Sequence, residues 1–275
     1  MSKWYDIPLI GSVRGDAGGK ELPSFVVLVS PHSDDVALSL GAALLGSTKS
    51  ECMHIVTVFS ISKNTAADLI KDVKIVTAIR MDEDRSFFLE LGRDVRAVWL
   101  GREDAPLRLG LPDESVFSCC RTDADLCETR HIVNRLRAEY SAGSLLLAPM
   151  GLGNHIDHLI VRDAALALLR EGFSVGFYED LPYAADVSEN NVLEYSVQLG
   201  LLAGEELMLS AIETDIAIQE KIDLLSCYRS QMDSRTADRV RTHTERSGKG
   251  SVVERVWGPR RTVMALARCF RGARA

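Results

Sequence analysis

Residues 25–30, Phe-Val-Val-Leu-Val-Ser, form an apolar, β-branched run of strand length. A half-exposed strand alternates polar and apolar residues, so an unbroken run belongs in a strand buried on both faces, as inside a parallel sheet. The next segment, 36–46, has the small and apolar spacing of a helix packed closely on a sheet. The pattern then repeats. Strands are expected at 54–60, 95–100, 144–148 and 174–178, with helices over about 66–91, 123–140 and 157–171. In the first of these helices Ala67, Ile70, Val73, Val76, Thr77, Phe87 and Leu91 fall near one face, and Gly92 stops it. A later strand fits 193–199 and a helix fits 205–228. Strands alternating with helices predict a Rossmann-like α/β fold, a mostly parallel sheet with helices on both faces. Ligands in such folds bind outside the carboxyl ends of the strands. The loops to inspect therefore follow residues 30, 60, 100 and 148.

The 275 residues suit one domain, with a core over about 24–230. A chain of this length can bury its own core, so a bound metal is expected to be catalytic rather than structural. Segment 101–121 is polar, contains Pro106 and Pro112, and reads as a long loop that shapes a pocket. Segment 233–251 is polar without periodicity and reads as a mobile loop within a basic C-terminal extension, 231–275.

The net charge of −7 argues against general nucleic-acid binding. It is unevenly placed: from Arg229 onward there are twelve basic residues against four acidic ones. This tail is either a solvated surface or a patch that attracts an anionic substrate. Cys52, Cys119, Cys120, Cys127, Cys227 and Cys269 show neither a disulfide framework nor a Cys-x-x-Cys zinc knuckle. No signal peptide opens the sequence, and no apolar run reaches the ~20 residues that span a bilayer. A cytoplasmic protein without a transmembrane segment is expected.

Two constellations carry chemistry. The first, Ser30-Pro31-His32-Ser33-Asp34-Asp35, directly follows the first strand. One aspartate there could cap a helix, but a cap needs neither a second aspartate nor a histidine. The second, Gly153-Asn154-His155-Ile156-Asp157-His158, follows strand 144–148. Three of the six histidines thus fall in two loops where a ligand should bind, while His54, His131 and His243 stand alone. A catalytic zinc takes three protein ligands from imidazole nitrogen and carboxylate oxygen and keeps a position for water. Two histidines and one aspartate satisfy that, leaving further groups to move protons. Such a site makes water acidic near pH 7 and polarises a carbonyl, as amide hydrolysis requires.

These motifs resemble those of the LmbE-like family, which includes the PIG-L N-deacetylases. His32-Ser33-Asp34-Asp35-Val36 looks like the family's His-Pro-Asp-Asp-Glu stretch, and His155-Ile156-Asp157-His158 like its His-x-Asp-His stretch. Arg80-Met81-Asp82-Glu83-Asp84 and Leu100-Gly101-Arg102-Glu103-Asp104 look like its Arg-x-x-Glu and Leu-Gly-x-x-Asp segments. The resemblance implies a metal-dependent N-deacetylase acting on an N-acetylated amino sugar or sugar-bearing small molecule through water activated by Zn2+, with Fe2+ suited to the same ligands. It assigns His32, Asp35 and His158 to the metal and Asp34 to the general base. His155, as an imidazolium, would stabilise the oxyanion or protonate the leaving amine. Asp157 would orient one of the two ligand histidines, and Arg80 and Asp104 would contact substrate. Two positions depart from the pattern: Ser33 replaces proline, and Val36 replaces the glutamate, which points to a changed substrate.

Two other readings stay open at this level. Gly151-Leu152-Gly153 after a strand suggests a Rossmann-type nucleotide-binding enzyme, although Ile156 stands where a third glycine is expected. The loss of glutamate at Val36 would also suit a non-catalytic binding module on the same scaffold.

Overall fold

Every residue of the first strand is buried, as its unbroken apolar run requires. The computed structural model describes residues 25–47, 53–65, 72–92, 94–248, 252–270 and 273–274. In chain order the elements are β1 (Val26–Ser30), α1 (Asp35–Gly46), β2 (Met53–Thr57), α2 (Val73–Glu90), β3 (Val95–Trp99), α3 (Ala105–Arg108), α4 (Asp123–Glu139), β4 (Leu145–Pro149), α5 (Ile156–Arg170), β5 (Ser174–Tyr178), α6 (Glu189–Ala203), β6 (Met208–Thr214), α7 (Ile218–Leu225), α8 (Ser234–Gly248), β7 (Val252–Gly258), α9 (Arg260–Cys269) and β8 (Ala273–Arg274). Short 3₁₀ turns lie at Asp113–Phe117 and Tyr183–Asp186.

The strands form one sheet in the order β3-β2-β1-β4-β5-β7-β6-β8. The first five are parallel, and β7 pairs antiparallel with both β5 and β6. From β1 the chain steps outward to β2 and β3, then returns to the other side of β1 for β4 and β5. Right-handed crossovers running in opposite directions put α1 and α2 on one face and α4 and α5 on the other. The packing agrees: α7 lies against α1 and α2, and α4 lies against α5. Val27, Leu28, Leu146 and Leu147 of the central strands are fully buried. Each such side chain contributes roughly 1.5–3 kcal/mol through burial.

Local signals set the helix ends. Asp72 accepts from the backbone N–H groups of Lys74 and Ile75 and starts α2. Thr122 and Asp125 form a capping box on α4. The expected helix over 66–91 therefore starts later, and its residues Ala67 and Ile70 lie outside the described residues. So do Cys52 and the first 24 residues.

Four expectations need correction. Residues 193–199 are not a strand but part of α6, whose buried positions Val192, Ser196, Leu199 and Ala203 follow a helical period. Ser188 caps its start, and Gly204, in a left-handed conformation at φ 74°, closes it. The single helix expected over 205–228 is instead β6, buried at alternate residues, followed by α7. The expected mobile loop at 233–251 is largely α8. Asp233 accepts the backbone N–H of Thr236 at its start, and among the described side chains of the helix only Val240, His243 and Thr244 are buried. So narrow a stripe gives no visible periodicity. Finally, the core does not end near 230, because β7 lies within the sheet, between β5 and β6. No helix among the described residues is long and apolar enough to cross a membrane.

Candidate metal centre

The order of strands reverses between β1 and β4, and helices leave these two neighbours toward opposite faces. This opens a crevice at their carboxyl ends. The loop after β1 carries His32 and Asp34, with Asp35 in the first turn of α1; the loop after β4 carries His155, with Asp157 and His158 in the first turn of α5. Residues more than a hundred positions apart in sequence are thereby brought into contact.

Both imidazoles face Asp35. His32 Nδ1 lies 3.1 Å from Asp35 Oδ2, and His158 Nε2 lies 3.3 Å from Asp35 Oδ1. Each ring is held from behind by another buried carboxylate. His32 Nε2 is 3.1 Å from Asp157 Oδ2, and His158 Nδ1 is 2.7 Å from Asp180 Oδ1. This is the carboxylate–histidine arrangement that fixes ring orientation at metal sites. His158 Nε2 is buried and makes no hydrogen bond. With Nδ1 donating to Asp180, a lone pair on that nitrogen would face a carboxylate oxygen, an arrangement that needs a cation between them. One donor atom each from His32, Asp35 and His158 lies within 4.8 Å of the others. Burial, which opposes charge on both rings, is outweighed by the carboxylates: Asp157 and Asp35 push His32 up to about 9, and Asp35 and Asp180 push His158 up to about 10. Against its own burial, Asp35 is held well below the usual carboxylate range by His158 and His32. The site thus calls for two positive charges, which a divalent cation can supply as well as two protons. The residues fit such an ion.

His32, His155 and Asp157 also lie within reach of one ion, but they suit it less well. Asp157 Oδ2 already accepts from the Ala105 N–H at 2.8 Å, and Oδ1 accepts from Arg108 at 2.9 Å. Burial would raise Asp157, but its contacts, His32 foremost, lower it to about 2. His155 Nδ1 accepts the Asp157 N–H and so caps α5.

A cavity of about 100 Å³ adjoins these groups. Asp34, Arg80, Asp104 and His155 all line it. Asp34 Oδ1 takes a hydrogen bond from Arg80 Nη2 at 3.0 Å, and Arg80 Nη1 donates to Ser62. Burial raises the Asp34 carboxyl, and Arg80 opposes that rise. Arg80 is therefore engaged with the adjacent carboxylate as well as facing the cavity. Asp104 is 2% exposed and accepts the Leu107 N–H as the cap of α3; burial raises its carboxyl too. His155 differs from expectation in its charge. Its Nδ1 is an acceptor, and burial, with His32 and His158 nearby, lowers its pKa well below the ordinary value. The ring is neutral with its proton on Nε2, so it can donate a hydrogen bond without being an imidazolium.

Sequence reasoning missed Asp180. It follows strand β5 at the same rim, and the rule used for the other strands would have found it. Asn64, Tyr183 and Gln231, which also line the cavity, carry no motif. Phe117 of the 101–121 segment stands edge-on to His155 and Tyr183, at centroid distances of 5.2 and 5.5 Å. A larger cavity of about 800 Å³ lies along α2 and α7 and shares no lining residue with this one.

The glycines at 151 and 153 have another use than cradling a phosphate. Asp180 Oδ2 accepts the N–H groups of Gly151 and Leu152 at 2.8 and 3.0 Å, so they are not free for an anion. Gly153 has φ 83°, and a Cβ there would stand 2.6 Å from Tyr183 Cβ. Gly153 lets the loop pass beneath Tyr183, and Gly151, at φ 88°, lies where a Cβ would stand 2.9 Å from Leu159 Cδ2.

No protein-family model matches the chain. It is 29% identical over 227 residues to a 2'-N-acetylparomamine deacetylase of Streptomyces fradiae, covering 80% of this chain and 78% of that one. Among solved structures it resembles a zinc-inhibited form of the teicoplanin deacetylase Orf2, with TM-score 0.62 and 23% identity over 85% of this chain and 97% of that one. It also resembles the A40926 pseudoaglycone deacetylase Dbv21, with TM-score 0.59 and 21% identity over 85% and 96% of the two chains. The solved structures share its fold.

Proposed function

We propose that this chain is an LmbE-like, zinc-dependent N-deacetylase. It hydrolyses the amide of an N-acetylated amino sugar or of a small molecule bearing one. One observation carries the proposal: His32 and His158, each backed by a buried carboxylate, both face Asp35 beside a cavity lined by Asp34 and His155. The Streptomyces fradiae relative is by its name a deacetylase of 2'-N-acetylparomamine, which supports the substrate class.

His32, Asp35 and His158 would hold the ion. When bound, a divalent cation supplies Lewis acidity to a carbonyl and makes water acidic near neutral pH. Asp34 takes the proton of the attacking water. Its burial favours the protonated form and so strengthens it as a base, while Arg80 keeps it ionised beforehand. His155 donates from Nε2 to the carbonyl oxygen as that oxygen gains charge. The proton held by Asp34 then passes to the leaving nitrogen, releasing a carboxylic acid and an amine. Asp157 and Asp180 keep the two ligand rings in register throughout.

Three of the basic C-terminal residues are engaged within the chain rather than free for an anionic substrate. Arg239 pairs with Asp186, Arg255 with Glu179 and Glu189, and Arg261 with Glu205. The charge of these three is met within the chain.

The test is an amine-release screen of protein reconstituted with zinc or with ferrous iron, offered N-acetylglucosamine and N-acetylated aminoglycoside fragments. Release of amine and acetate in equal amounts is expected. A fully metal-loaded protein that frees no amine from any acylated amino sugar would sink the reading.

A further inference from the structure

Gln231 takes no part in the chemistry above, yet it lines the same cavity. It sits between α7 and α8, on a segment gripped by two adjacent acids of α2. Ser230 donates its backbone N–H to Glu83 Oε1 at 2.6 Å and its hydroxyl to Glu83 Oε2 at 2.7 Å. Tyr228 donates its hydroxyl to Asp84 Oδ1 at 3.1 Å. Glu83 and Asp84 are both buried.

The carboxamide of Gln231 is oriented by this frame. Its Nε2 donates to the backbone oxygen of Asn64 at 3.0 Å and to Ser230 Oγ at 2.9 Å. A carbonyl oxygen can only accept, which fixes the amide's orientation. Ser230 has given its own proton to Glu83, so its oxygen is an acceptor here as well. Both amide protons of Gln231 are therefore spent, and Oε1 has no partner among the described residues. A side chain held this way can only accept a further hydrogen bond. Asn64 stands beside it on the same wall, with no hydrogen bond to its side-chain amide among the described residues. The backbone N–H of Asn64 bonds to Ser62 Oγ, to which Arg80 also donates. The wall and the holder of Asp34 thus share an anchor.

We propose that Gln231 is a substrate-binding residue that accepts a hydrogen bond from a ring hydroxyl of the sugar, with Asn64 as a second contact and Glu83 and Ser230 as positioning residues. Two neutral carboxamides suit a polyhydroxylated ring better than an anion or an apolar chain. The identity of the ligand rests on the deacetylase reading; the acceptor-only wall does not.

The test is an NMR titration of zinc-loaded protein with N-acetylglucosamine and its monodeoxy forms. Loss of one such hydrogen bond is expected to weaken binding about fivefold to tenfold. Gln231→Met, which keeps length but has no comparable acceptor, should show that loss. One monodeoxy sugar should bind wild-type protein with a similar deficit and should be indifferent to the substitution. Equal binding of all the sugars by wild-type protein overturns the proposal, as does failure of wild-type protein to bind N-acetylglucosamine. The wild-type comparison stands even if the variant does not fold. If binding follows the expected pattern but no amine is released, the wall is retained and the deacetylase reading falls.

Discussion

Asp180 Oδ1 lies 2.7 Å from His158 Nδ1, and both side chains are fully excluded from solvent. The other oxygen of Asp180 holds the loop that leads to His155. Asp180→Asn would turn an N–H group toward either that loop or His158, and in both orientations would remove the charge facing His158. The expected outcome is a tenfold to hundredfold loss of metal affinity, on the order of that seen for such outer contacts. Competition with a chromophoric chelator measures it. Unchanged affinity would mean that Asp180 does not prepare His158 for a metal.

Asp34 lines the cavity but faces Arg80 rather than the two ligand imidazoles. Asp34→Asn is therefore expected to retain its metal, by elemental analysis, and to lose roughly 10²–10⁴-fold in kcat. His158→Ala should do the reverse in order of cause, losing metal first and activity as a result. Wild-type turnover by Asp34→Asn would remove Asp34 as the base.

Without metal, His32 at about 9 and His158 at about 10 are both protonated at neutral pH. A cation entering between them must displace those protons. Zinc binding at about pH 7 should release about two protons, and apparent affinity should rise about a hundredfold for each pH unit gained, levelling off as pH passes through 9 to 10. Titration in two buffers of different ionisation enthalpy counts the protons. Release of none would show that zinc binds elsewhere.

Asp84 is a buried carboxyl beneath the site, reached by Trp99 at 2.7 Å, Tyr228 at 3.1 Å and the hydroxyl of Ser33. Burial pushes it up from 3.8 to about 7, against the pull of these donors. The fold thus prefers the protonated form, and the unfolded chain gives up its proton more readily. This contribution to stability is full below about pH 4, falls as pH rises toward 7, and stays lost above it. Asp84→Asn mimics the neutral form, so it should gain on wild-type protein between about pH 4 and 7, by on the order of 4 kcal/mol at most. Denaturant melts at several pH values would show it, and a pH-independent difference would refute it.

How much could be read from the sequence depended on how each signal is encoded. The runs at 25–30 and 144–148 are buried on both faces, so β1 and β4 were legible, and with them the rim where the two histidine motifs meet. The role of Ser33 was not legible because its partner, Asp84, is on another element. Asp180 was within reach of the strand-end rule but was passed over because the loop after β5 was not inspected; Gln231 acts through contacts made by other segments, and no local pattern marks it. Residues 193–199 misled because Tyr195 and Val197 favour strands in isolation, whereas the caps at Ser188 and Gly204 and tertiary packing decide for helix. In α8, charged residues such as Arg239 and Arg241 mask a narrow inward stripe.

Because β7 is drawn from residues 252–258 yet seats against β5, the sheet cannot close until synthesis has passed well beyond β5. Until then Phe177 and Tyr178 present a bare backbone edge. Glu179 also lacks the indole of Trp257, the guanidinium of Arg255 and the backbone oxygen that receives its N–H. The next residue is the aspartate that aims His158. A growing polypeptide is therefore poorly prepared to capture its ion early, and a stop codon ahead of Val252 would cost the molecule its shape and its chemistry together.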